Sequence, residues 1–149
     1  MIKIGSIIFS LMFLNQMSYC EENWSRLDFP TAEKIKQGCL SYAQNHKLNL
    51  AIAIYDSHGN LISFSRMDGA SVGVSEIARW KGKSSAIYQF PTSEMKQWNI
   101  PSGPYIAPVA GGIPINSSTG VIIGAIGVSG ADSLADVACA KAGVSSAIK

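Results

Sequence analysis

From Thr31 to His46 the apolar positions Ile35, Cys39, Tyr42 and Ala43 recur at spacings of three and four, which predicts an amphipathic helix. Gly38 weakens it. The pattern then changes to alternation: Leu50, Ile52 and Ile54 are large while Ala51 and Ala53 between them are small, the signature of a strand. DSHGN, residues 56–60, supplies turn chemistry before a second strand from Leu61 to Arg66, so a hairpin is expected. After the loop RMDGAS, helical spacing returns from Val74 to Ile87, with Ile77, Trp80, Ser84 and Ile87 on one stripe, and Pro91 ends it. Thr92 is placed to cap a short helix through Trp98.

Residues 99–112, NIPSGPYIAPVAGG, read as loop. GIPI, NSSTG and VIIGAIGV then make a strand, a turn and a nearly continuous apolar strand. Ser133 and Asp136 form a capping-box-like S-x-x-D ahead of an Ala-rich helix running almost to Lys149. Helix, hairpin, helix, short helix, hairpin, helix is the order of an α+β fold, an antiparallel sheet with helices packed on it.

The first 20 residues stand apart. Lys3 precedes an apolar run from Ile4 to Leu14, and Ser18 and Cys20 are small residues ahead of a cut. That is the layout of a secretory signal peptide, too short to span a bilayer. A single mature domain, residues 21–149, is expected, located in the periplasm or secreted. Its net charge falls from +2 to +1 with the loss of Lys3, which leaves no electrostatic footprint for nucleic acid or an anionic membrane. Cys39 and Cys139 remain, and an even count outside the cytosol permits one disulfide; two buried free thiols are the alternative.

Candidate chemistry is sparse. The glycines of GVIIGAIGVSG, residues 120–130, lack the G-x-G-x-x-G spacing of a dinucleotide loop. They suit a strand that carries a bulge or that another backbone approaches closely. His46 and His58 are the only histidines, and no cluster has zinc spacing, so no metal site is expected. The densest polar group is Arg66, Asp68, Arg79, Lys81 and Lys83. It has two readings: Arg66 and Asp68 brace a loop beside solvated lysines, or Arg66 and Lys81 converge on a ligand carboxylate with Asp68 orienting one of them. Tyr88, Phe90, Trp98 and Tyr105 surround the Pro91–Thr92 corner and offer either an apolar wall or core.

Three stretches together, IAIYDSHGNLISFSRMDGA, EIARWKGKSSAIYQFPT and GGIPINSSTGVIIGAIGVSG with ADVACAKAG, carry a resemblance. The chain resembles the haem-degrading family that groups GlcG-like and HbpS-like proteins with the C-terminal domain of PduO-type proteins, over about residues 31–149. The resemblance implies a profilin-like sandwich, assembly into a homo-oligomer, and haem or a related tetrapyrrole as small-molecule ligand, slowly degraded in some members. Asp56, Arg66, Asp68, Lys81, Thr92, Gly111, Gly112, Pro114 and Gly127 match the family pattern. Thr92 resembles the threonine near which haem contacts fall. The sequence departs from the pattern before GGIPI, where relatives often have a longer loop and a fuller strand.

The expected function is therefore an exported oligomeric binding protein for haem or a similar planar acid, with ligand-binding residues Arg66, Asp68, Lys81, Phe90 and Thr92. An enzyme that oxidatively opens haem and a structural module without small ligand are the alternatives.

Overall fold

The computed structural model describes residues 26–100 and 103–148. The signal-peptide expectation for residues 1–20 lies outside these. Helix α1 spans Phe29–Asn45, two residues earlier than its periodicity indicated, because Asp28 accepts from the Thr31 amide as N-cap and Pro30 occupies the first turn. Strands β1 (Ala51–Asp56) and β2 (Leu61–Arg66) form the hairpin, and α2 runs Val72–Tyr88. A single 3₁₀ turn covers Met95–Gln97; β3 (Gly112–Asn116), β4 (Ile122–Ser129) and α3 (Ser133–Ala147) follow.

The strands form one antiparallel sheet in the order β2, β1, β4, β3. Helices α1 and α3 pack together on one face and α2 lies on the other. The alternation read in β1 decides what each face receives. Leu50, Ile52 and Ile54, with Ile126, Val128 and Ile115, meet Ala32, Ile35, Cys39 and Ala43 of α1 and Cys139 and Ala140 of α3. Each fully buried isoleucine contributes about 1.5–3 kcal/mol. Cys39 and Cys139 are disulfide-bonded inside this layer, across a separation of 100 residues, which resolves the thiol alternative.

The opposite face presents Ala53, Tyr55 and Ala125. Gly127 lies there too: a Cβ on it would strike the Ala78 carbonyl and the Gly82 backbone. Glycine in the strand thus marks close helix approach, as expected. Edge strand β3 carries Pro114, whose missing N–H is tolerated because β3 is paired on one side only.

Two local expectations are corrected. The N-cap of α3 is Asp132, which accepts from the Leu134 and Ala135 amides; Ser133 is already helical and Asp136 turns elsewhere. Thr92 caps nothing, since the 3₁₀ turn begins without a side-chain cap and the threonine is used in the loop ahead of β3.

Candidate functional site

Helix α2 shows an inverted amphipathicity. The stripe read in the sequence splits: Ile77, Trp80 and Ile87 point outward, about 40% exposed at each position, while its fourth member, Ser84, is buried with Ala78, Lys81, Gly82, Ser85 and Ala86 toward the sheet and the loop after the helix. The physical reason is the small-residue face of the sheet: only a helix surface of Ala, Gly and Ser fits against Ala53, Ala125 and Gly127.

The buried polar residues of α2 organise residues 89–100 and 103–111. Ser84 Oγ donates to Met95 Sδ at 3.0 Å and accepts from the Ala107 amide at 3.0 Å. Ser85 Oγ donates to the Phe90 carbonyl at 2.8 Å. Thr92 is wholly buried; its hydroxyl donates to the Val109 carbonyl at 2.6 Å and accepts from the Gly112 amide at 3.0 Å. The start of β3 is thereby fastened to the corner after α2.

Lys81 completes this frame. Its ammonium donates to the Val128 carbonyl at 3.0 Å and to Asp136 Oδ2 at 2.9 Å, both side chains being almost fully buried. Asp136 Oδ1 also accepts from the Ala131 amide. Burial pushes the Asp136 carboxyl above its ordinary pKa, and the bonds from Lys81 and Ala131 oppose that without reversing it. Gly111 makes the arrangement possible: at φ 123° it adopts a conformation disfavoured for other residues, and a Cβ there would meet Lys81 Nζ and the Val128 carbonyl.

Held on this frame is an aromatic surface. Trp98 receives Tyr88 and Phe90 edge-on, with ring centroids 5.5 Å apart in both pairs. Tyr88 Oη donates to the Pro104 carbonyl at 2.6 Å, which fixes the neighbouring Tyr105. Lys83 Nζ lies 4.3 Å from the Tyr105 ring centroid. Phe90 and Tyr105 are about half exposed. The cavity beside this surface, lined by Met95, Lys96, Asn99, Ile100, Ile106 and Pro108, measures about 160 Å³, well below the roughly 300–1,000 Å³ of enclosed ligand pockets. A large planar ligand here would lie against an open face.

The five residues singled out in the sequence divide into three places. Phe90 is on the aromatic surface. Lys81 and Thr92 are buried beneath it as parts of the frame. Arg66 at the end of β2 and Asp68 on the turn after it are exposed ahead of α2, and the 17-residue helix separates them from Phe90 by about 25 Å. Arg66 donates to the Ala70 carbonyl at 2.7 Å and so braces its own turn. Arg66 and Lys81 share no partner among the described residues. Sequence reasoning missed Ser84, Ser85 and Asp136; the sequence signal was adjacent serines inside a helix, where side-chain hydroxyls usually have a specific use.

The architecture is that of an α+β sandwich, a four-stranded antiparallel sheet between one helix and a helix pair. The chain belongs to the family described as haem-degrading HbpS-like proteins, whose model matches residues 27–145. A double mutant of the Streptomyces reticuli HbpS protein is similar at 26% identity and a TM-score of 0.74, over 80% of this chain and 86% of that one. The Klebsiella pneumoniae protein ORFY is 22% identical, TM-score 0.73, over 80% and 89% of the two chains. A PduOC–haem complex is 20% identical, TM-score 0.73, over 83% of this chain and 99% of that one. These last two likenesses are of fold. Comparison with curated proteins gave no match. Haem is the molecule named in the description of that family.

The residues fit that group in part. The aromatic set, exposed at Phe90 and Tyr105, suits an apolar macrocycle, and Lys83, which makes no ion pair among the described residues, suits its carboxylates. Thr92 does not suit the iron, because its hydroxyl is enclosed and already both donates and accepts.

Proposed function

We propose that this chain is an exported, oligomeric protein that binds haem or a related planar tetrapyrrole acid on the surface of Tyr88, Phe90, Trp98 and Tyr105, with Lys83 pairing a carboxylate. The observation that carries the reading is an aromatic set half exposed at Phe90 and Tyr105, beside a lysine that makes no ion pair among the described residues, in a chain of the HbpS-like family. Apolar contact supplies most of the affinity and the charge pair orients the ligand. Lys81 and Thr92 act by positioning the surface, and Arg66 and Asp68 lie outside it.

Export is supported by the apolar N-terminal run of the sequence and by a buried disulfide, which persists in oxidising compartments. Assembly is supported by the outward stripe Ile77, Trp80 and Ile87, since such a row gains by being covered.

Titration of the purified protein with ferric protoporphyrin IX is expected to shift and sharpen the Soret band at micromolar concentration, with quenching of tryptophan fluorescence. An unshifted band overturns the reading. Degradation of the bound ring is a second reading, favoured by the description of the family. It requires ring cleavage and iron release at a rate above that of albumin-bound haem under the same peroxide concentration.

A further inference from the structure

An aromatic face accounts for a macrocycle but leaves its iron without a protein ligand, and the side chains at this surface differ sharply in what they can offer. Thr92 is enclosed. Met95 is buried, with its sulfur already hydrogen-bonded by Ser84. The Tyr88 hydroxyl is committed to Pro104. Tyr105 differs on every count. It is 55% exposed, and its hydroxyl has no hydrogen-bond partner among the described residues.

Its backbone is also unusual. Tyr105 sits at φ 62°, in the left-handed region that a bulky residue enters rarely and under strain. Its neighbours enforce that conformation: Pro104 is held by Tyr88 and Ala107 by Ser84. Glycine would take the conformation without strain, so tyrosine here is costly to folding unless its side chain is used. Lys83 covers one face of the ring, which limits the directions the phenol can take.

Resting on the haem-binding reading, we propose that Tyr105 is the axial ligand to the ferric iron, its phenol oxygen forming the iron bond and its proton leaving to solvent, with no change in oxidation state. Tyrosine is an established type of haem ligand. Lys83 exchanges the ring face for a ligand carboxylate as the macrocycle docks. The competing donor is His58: it is exposed on the β1–β2 turn, whose next residue, Gly59, packs against Ile87 and Lys83 of α2.

The test is absorption and resonance Raman spectroscopy of the full-length protein loaded with ferric protoporphyrin IX. Wild type is expected to show phenolate–iron vibrations and a charge-transfer band. Tyr105→Phe should lose both and bind at least about tenfold more weakly. Tyr105→Gly should lose them while unfolding at the same or a higher temperature, because the strain is relieved. A purely structural tyrosine would lower that temperature and leave any iron spectrum intact. Lys83→Met should weaken binding about two- to fivefold with the spectrum unchanged, and His58→Ala should change neither. A wild-type spectrum retained by Tyr105→Phe, or lost in His58→Ala, overturns the ligand assignment alone. No Soret shift in wild type removes the binding reading and this assignment with it.

Discussion

The two faces of the sheet are built on opposite terms. Toward α1 and α3 the strands send Leu50, Ile52, Ile54, Ile126 and Val128 into an apolar layer closed by the Cys39–Cys139 bond. Toward α2 they offer alanine, glycine and one tyrosine, and the helix answers with serines and the buried Lys81. The first face stabilises the domain by apolar burial. The second gives up apolar volume to bring α2 close and to commit its polar groups to the corner that carries the aromatic surface. Stability and the proposed binding surface thus fall on different sides of one sheet.

That division can be broken from either side. Loss of the disulfide in Cys39→Ser with Cys139→Ser should have the largest effect, since the chain-entropy cost released to the unfolded state is about 4–5 kcal/mol for a loop of this length. Urea unfolding would measure it, and the Soret titration of the folded fraction should be unchanged. Asp136→Ala strands the Lys81 ammonium in the interior and should cost about 3–5 kcal/mol. Unlike the cysteine pair it should also weaken haem binding, because the frame under the aromatics loosens. A double-mutant cycle with Lys81→Met separates the pair energy from the stranded charge: the double variant should recover part of the loss.

Gly127→Ala probes packing alone and should destabilise by about 1–3 kcal/mol through overpacking against Gly82. Ile126→Val, one residue away on the other face, should cost only about 0.5–1.5 kcal/mol. The smallest effect belongs to Asp56 in the β1–β2 turn. Burial raises its carboxyl pKa, but the amides of Asn60 and His58 and the Asn60 side chain outweigh it, and the net lies below the ordinary 3.8. A depressed carboxylate stabilises the fold fully above its unfolded value and loses that contribution as pH falls through the lower folded value. Wild type should therefore lose more melting temperature than Asp56→Asn between pH 5 and pH 2.

Much of the fold was legible because periodicity reports burial wherever burial is apolar. The β1 alternation named both faces of the sheet, and of the two meanings open to the β4 glycines, a bulge or close approach, Gly127 shows the second. Helix α2 misled for the same reason: its large residues Ile77, Trp80 and Ile87 form the periodic stripe, yet size excludes them from a face lined with Gly127 and Ala53. The grouping of Tyr88, Phe90 and Trp98 was legible from their nearness in sequence, whereas the ionic contacts were not. Nothing local marks Lys81 as the partner of Asp136, which lies 55 residues further along the chain, so its charge was taken as available when it is spent. Thr92 was misread similarly, because a threonine after proline looks like a cap until Gly112 is brought beside it.

Pro114 has a consequence for how copies of this chain can meet. On the outer rim of β3 it supplies no donor where an incoming ribbon would need one, so lengthening the sheet from one molecule into the next is penalised on that side. In the proposed oligomer, contacts between copies would therefore fall on the helical flanks, which favours closed clusters of fixed number over open-ended fibres.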